Sequence, residues 1–436
     1  MDPDGLIYAS ISQHQSTGVG TFWFPYSMFN EAAFHHHPPL MFGLQSIFFR
    51  LFGDSFVVEN LYHLVILLSL SWVLLKLDDG PTGWFTLLLL FLMPIVAFGF
   101  TDNLLEPTLT LFTCAAVLCL LQGTLRGTVS SALTGSLSGA LPAESSRHTR
   151  IGLLTLAALL TTAAFLTKGP VGLFPLATLP LAAVIQPEFR TRLAKSFGFY
   201  IGMLVLLSLL LACIPPARES ITAYFDYQLK GTFAGERPMV HGRAYLLEQW
   251  LKNLGGPALV VGIIFFSSKI RSSLRRTDWL WLAIALSASV PLLISPRQFA
   301  WYLIPALPFY ALFLAGIVRA AVSKVILPTG IAIAISAALL LLLSVNAYRA
   351  FGSWDNDFEE AQDLAVLQGV IARDSIVGSC VPTDQIYRLF LYLSRHHGVK
   401  IEGFDRQQWV LCTNLPAKGY QRVDVDLNIL PLYQRL

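Results

Sequence analysis

Asp4, in the opening string Asp-Pro-Asp-Gly-Leu-Ile-Tyr, stands four residues before Tyr8 at the head of a largely apolar chain. A carboxylate above a membrane cavity, once partly desolvated, is suited to act as a general base. Aspartate equally favours the N-cap of a helix, and position alone leaves both roles open. The most unusual local string is His35-His36-His37-Pro38-Pro39-Leu40. Neighbouring histidines can bind a metal or hydrogen-bond a phosphate, while the double proline keeps the backbone before it extended. Adjacent side chains of an extended segment point to opposite faces, so at most two of the three aim at one ligand. Surface histidines without a role would read the same way.

Asp102 and Glu106 lie at the outer end of an apolar run, and their i,i+4 spacing puts both on one face if the segment is helical. Carboxylates at a helix N-terminus also serve simply as dipole partners. Lys168, in Leu-Thr-Lys-Gly-Pro-Val-Gly, and Arg297, before Gln-Phe-Ala-Trp-Tyr-Leu-Ile-Pro, are single cations at the outer ends of long apolar runs. A lipid phosphate is a natural partner for each; snorkelling to ordinary headgroups is the alternative. His241 lies in a long loop, 214–250, with Asp226, Lys230 and Arg237 among Tyr224, Tyr227 and Tyr245. That mixture suits a lid over a polar substrate or any interfacial segment. His36 and His241 are the candidate metal ligands, and the five cysteines show no zinc spacing.

The elements that must position these residues are membrane helices. Of 436 residues 54% are hydrophobic and only 13% charged, with mean hydropathy +0.59, whereas a soluble domain is about a quarter charged. Apolar runs fall at 56–76, 83–101, 106–123, 151–167, 170–186, 196–214, 255–268, 278–295, 301–320 and 325–346, near the length of about 20 residues that a span requires. About ten transmembrane helices are therefore expected. Alternate loops collect Arg126, Arg147 and Arg150, then Arg190, Arg192 and Lys195, then Lys269 to Arg276, then Arg319 and Lys324. The positive-inside rule makes those loops cytoplasmic and places residues 1–55 and the tail 347–436 outside. An outer start with no helix before it leads us to expect a further helix upstream of Met1. Residues 56–346 are expected to form the transmembrane domain. The tail alternates strand and helix patterns over about 80 residues, and reads as a small extracytoplasmic α/β domain. Cys380 and Cys412 share it and would pair on an oxidising side.

Taken in order, Asp-x-x-x-Tyr-Ala, Trp-Phe-Pro, an aromatic-x-x-x-Pro-Pro-Leu string, Phe165 to Pro170 and Trp301 to Pro308 resemble signatures of GT-C-type glycosyltransferases. The nearest groups are the protein O-mannosyltransferases and the aminoarabinose transferases that modify lipid A. The match spans about 1–320 and leaves the tail outside. On this resemblance Asp4 matches the catalytic aspartate and Tyr8 the tyrosine that follows it, on the donor-phosphate side. Glu106 matches the second acidic position, with Asp102 the alternative. His36 and His37 fall where many members carry Glu-Lys, a departure from the pattern.

The implied reaction is inverting transfer of a sugar from a polyprenyl-phosphate donor to an acceptor hydroxyl, at the outer face of the plasma (inner) membrane. Asp4 would take the acceptor proton, and Lys168 and Arg297, joined by His37, would hold the leaving phosphate. No cofactor is required, although a divalent metal is compatible; the bilayer is a partner and nucleic acid is not. A secondary transporter would instead show broken helices related by an internal repeat, and no repeat is visible. A non-catalytic protein of lipid-linked glycan assembly would tolerate loss of Asp4.

Overall fold

The computed structural model describes residues 3–27, 32–55, 57–78, 81–125, 147–231, 241–242, 244–265, 274–322, 357–382, 385–403, 407–414 and 416–436. The chain opens with α1 (Pro3–Ser16), the short antiparallel strands β1 (Tyr26–Ser27) and β2 (Ala32–Ala33), and α2 (Leu40–Phe52). A helical bundle follows: α3 (Val57–Leu77), α4 (Pro81–Phe91), α5 (Pro94–Thr101), α6 (Glu106–Leu125), α7 (Arg147–Lys168), α8 (Thr178–Ile185), α9 (Arg190–Ala212), α10 (Pro215–Tyr224), α11 (Tyr245–Phe265), α12 (Arg276–Ser289) and α13 (Leu307–Val322). The tail carries α14 (Phe358–Val370) and α15 (Tyr387–His397) beside β3 (Ile376–Ser379), β4 (Lys400–Gly403), β5 (Trp409–Leu411), β6 (Tyr420–Arg422) and β7 (Leu432–Arg435).

The fold is a predominantly helical, multi-pass membrane architecture, but the described residues do not reach the expected ten spans. Among the described residues six helical stretches are long and apolar enough to cross a bilayer, or seven if α4 and α5 count as one. Those two are bent by 74° at Pro94, which opens α5 and cannot continue the hydrogen bonding of α4. The runs 151–167 and 170–186 merge into one 39-residue stretch, Arg147–Ile185, because the 3-10 turn Gly169–Ala177 joins α7 to α8 without a loop. The run at 255–268 is met by α11, which begins at Tyr245 and takes Glu248 into its first turn. The run at 325–346, and most of the connector from Gly123 to Arg150, lie outside the described residues.

Helix α6 is the axis of the bundle. Nearly all its residues are buried against α3, α7 and the turn Ala300–Ala306. Helix α9 instead leaves Val205, Leu206, Leu209 and Leu210 exposed, the apolar surface that contact with lipid requires. In the tail β3 pairs in parallel with β4 and β5, while β7 runs antiparallel between β5 and β6, giving the order β4-β3-β5-β7-β6. Helices α14 and α15 cover this sheet through Leu364, Leu367, Leu389 and Leu393.

Helix α1 belongs to both parts. Tyr8 and Ile11 pack into the core of the bundle, whereas Leu6 sits in the apolar core of the tail. A short helix buried on opposite sides shows no amphipathic stripe, which is why its sequence looks unremarkable. Cys380 and Cys412 are joined by a disulfide across 32 residues. Replacing both by serine should destabilise the tail by about 2–4 kcal/mol, the usual worth of such a link. Tail melting followed by near-ultraviolet circular dichroism checks this, and an unchanged transition would show the bond to be dispensable.

Candidate active site

The first turn of α1 holds Asp4, directly after Pro3 at a position where proline is well tolerated. Asp4 is thus inside the helix rather than at its N-cap. It faces a cavity of about 340 Å³ with Tyr8, His36, His37 and Arg297. Phe299, Trp301 and Tyr302 supply an aromatic wall, and Gln228 and Tyr387 close further sides. A concave, partly aromatic site with convergent polar groups is the usual form of a small-ligand pocket.

Lys168 approaches from the end of α7. It makes a buried ion pair with Glu106, the first residue of α6, and its ammonium lies 4.5 Å from the Tyr302 ring centre. Gly169, at φ +68°, turns the chain immediately after this lysine, and a side chain there would collide with the Tyr224 ring. Three residues on, any side chain at Gly172 would strike the backbone of Ala164. The Lys-Gly-Pro-Val-Gly string is therefore a device that ends α7 with its cation pointed at α6. Arg297 lies over Phe299, with 5.6 Å to the ring centre, and its Nε is buried without a hydrogen-bond partner.

These charges decide the state of Asp4. Withdrawal from water raises its carboxyl above the ordinary range; Lys168 pulls it down, Glu106 pushes it up, and Arg297 and Tyr8 lower it further, but burial prevails. A carboxylate so placed is a stronger proton acceptor than one in water.

Glu106 and Asp102 do not share a helix face. Asp102 terminates α5, where its carboxylate accepts from the Thr101 hydroxyl, and Asn103 then adopts φ +56°, breaking the helix before α6 begins. Glu106 pairs with the lysine. Among the described residues no three His, Cys, Asp or Glu side chains gather as a metal-holding group. His36 stacks on Tyr227 with ring centres 4.2 Å apart, while His241 stacks on Tyr245 at 3.8 Å and does not line the cavity. His37 meets Tyr8 edge to face at 5.6 Å.

Asn103 is a positioning residue that sequence reasoning passed over. Its Nδ2 donates to the Gly5 carbonyl at 2.9 Å, and its Oδ1 accepts from Gln45 Nε2 at 2.6 Å. One buried amide thus ties α1, beside Asp4, to α2 and to the turn that launches Glu106. Asparagine tolerates the left-handed backbone better than most residues, and that was the one signal available in the string Asp-Asn-Leu-Leu-Glu.

Fold and site together define a multi-pass helical membrane protein with a charged cavity at the junction of its bundle and an α/β tail. No family model matches the sequence, and no curated protein matches it. Among solved structures, the chain is similar to ArnT from Cupriavidus metallidurans bound to undecaprenyl phosphate, with TM-score 0.57 and 18% identity over 90% of this chain and 65% of that one. The apo state of the same protein gives 0.53 and 17%, over 90% and 63%. An oligosaccharyltransferase from Archaeoglobus fulgidus, in the apo form, gives 0.50 and 12%, over 93% and 61%. The chain thus spans less than two thirds of the length of each, and the likeness is one of fold.

The raised Asp4 carboxyl has a consequence for stability. A folded-state pKa above the unfolded value gives stability that is full below the ordinary carboxyl range, about pH 4, and lost as pH rises through the raised value. Asp4→Asn should therefore melt above wild type at neutral pH, with the gap closing on acidification. Thermal melts of both proteins in one detergent across that range check it; a gap absent at every pH would show that Asp4 bears no desolvation penalty.

Proposed function

We propose that this chain is a GT-C-type membrane glycosyltransferase that moves a sugar from a polyprenyl-phosphate donor to an acceptor hydroxyl, with inversion, on the extracytoplasmic face. The observation that carries the reading is the joint placement of Asp4 and Arg297 in one cavity, with the Lys168–Glu106 pair beside them. Similarity of fold to a protein bound to undecaprenyl phosphate supports a donor of that chemical type.

The acceptor hydroxyl gives its proton to the Asp4 carboxylate as its oxygen attacks the anomeric carbon. The bond from that carbon to the phosphate oxygen breaks on the opposite side of the sugar, which inverts the configuration. The phosphate takes the bonding pair, and Arg297 and Lys168 stabilise its added charge. His37 and Tyr8 line the same space and can donate to phosphate oxygens. Glu106, already engaged with Lys168, is suited to hold that cation in place rather than to serve as the base. The alternation of basic loops and the Cys380–Cys412 disulfide support the outer location of the site and the tail.

The donor half of this reading is tested by binding of undecaprenyl phosphate to the purified chain. Removing Lys168 alone would leave Glu106 as a buried unpaired carboxylate, which is itself strongly destabilising. The informative variants are Arg297→Ala and the pair Lys168→Ala with Glu106→Gln, set against Glu106→Gln alone. Each lost charge-assisted hydrogen bond is worth roughly 1.5–3 kcal/mol, so affinity should fall about tenfold or more. Unchanged affinity in both variants would leave the two cations a purely structural role.

A further inference from the structure

The tail is stapled to the bundle by a buried charge cluster. Arg395, near the end of α15, is fully buried, and its Nε and Nη2 donate to Glu59 Oε1 at 2.7 and 2.5 Å. Its Nη1 donates to Asp54 Oδ1 at 2.6 Å, and its guanidinium lies over Phe49 with 4.8 Å to the ring centre. Arg373 holds the other oxygen of Asp54 at 2.5 Å. Glu59 opens α3 and is itself only 1% exposed, so the two parts meet across a water-free ion pair.

The opposite end of the same helix enters the cavity. Tyr387, the first residue of α15, lines the space that holds Asp4, Tyr8 and Arg297, and it packs on the tail's apolar core. Helix α15 runs along α1, whose Leu6 lies in that core two residues beyond Asp4. A ligand seated against Asp4 and Arg297 therefore shares its space with Tyr387.

We propose that the tail is a working part of the reaction site: Tyr387 contacts the polyprenyl-phosphate donor in the cavity, and Arg395 is the positioning residue that fixes α15, and through it Tyr387 and α1. This rests on the polyprenyl-phosphate reading above. An aromatic ring bearing a hydroxyl suits the phosphate–sugar junction, where it can lie against the sugar carbons and donate to an oxygen. Arginine suits the staple because one planar group answers two carboxylates.

The test is direct contact. The full chain carrying p-benzoylphenylalanine at position 387 should photocrosslink undecaprenyl phosphate, saturably, and the same probe at exposed position 421 should not. Arg395→Met should lose the crosslink together with about tenfold in affinity, and Arg395→Lys, which keeps the charge but not the planar fork, should recover only part of either. Formation of the Cys380–Cys412 disulfide serves as the check that the tail is folded in each variant. Wild-type binding that depends on Arg297, with no crosslink at 387 and full affinity in Arg395→Met, would overturn this inference and leave the donor reading intact. Absence of undecaprenyl phosphate binding in wild type would overturn the donor reading, and this inference with it.

Discussion

A carboxylate withdrawn from water between charges of both signs is the constraint on which the rest of the structure depends. Asp4 is pushed up by burial and by Glu106, and held down by Lys168 and Arg297. Among buried charges such a balance shifts with small displacements, because poorly screened charges act strongly on one another. Much of the surrounding architecture therefore serves to fix positions. Gly169 turns the chain so that Lys168 meets Glu106, Asn103 ends one helix so that Glu106 can begin the next, and the same Asn103 holds the backbone beside Asp4. The ion pair of Lys168 and Glu106 is poor evidence for stability in itself, since desolvating both groups offsets much of their attraction. Its value is geometric.

Helix α1 makes the second constraint intelligible. It is too short and too uniformly buried to stand alone, and it takes one side of its packing from the membrane bundle and the other from the tail. A carboxylate carried on such a helix takes its place only when both bodies are assembled. The Arg395 cluster secures that assembly, with Arg395 and Glu59 out of reach of water and Asp54 partly open to it. Bundle and tail are thus one mechanical unit around the cavity, although their amino-acid compositions differ sharply.

What could be read from the sequence follows the same physics. Lys168 and Arg297 stood out as single cations at the ends of apolar runs, His36 and His37 by their unusual string, and Asp4 by its place before Tyr8 and the family resemblance; the structure brings Asp4, both histidines and Arg297 to one cavity. The pairing of Lys168 with Glu106 joins residues 62 apart, and no local pattern announces a long-range contact. Asp102 and Glu106 looked like one helical face until the positive φ of Asn103 separated them. Span counting failed where Pro94 bends one run and a 3-10 turn fuses two others, since hydropathy reports apolar length and not backbone path. Nothing in the string Ser-Arg-His-His marks Arg395 as buried; only the fold reveals that it lies against two acids. Tyr387 carried no signal, because an aromatic at the start of an amphipathic helix is ordinary core material.

The account stands most directly on the carboxylate of Asp4 as proton acceptor. The decisive measurement is transfer of labelled sugar from a set of undecaprenyl-phosphate-linked donors to native membrane acceptors by wild type, Asp4→Asn and Glu106→Gln, with undecaprenyl phosphate affinity measured on the same preparations. Loss of a general base typically lowers rates about 10²–10⁴-fold, so Asp4→Asn should bind the lipid normally and transfer almost nothing. Wild-type transfer retained in Asp4→Asn would contradict the account. If Glu106→Gln were then the inactive protein, the base would be the glutamate that Lys168 holds; if both variants stayed active, the cavity would have no base among its carboxylates.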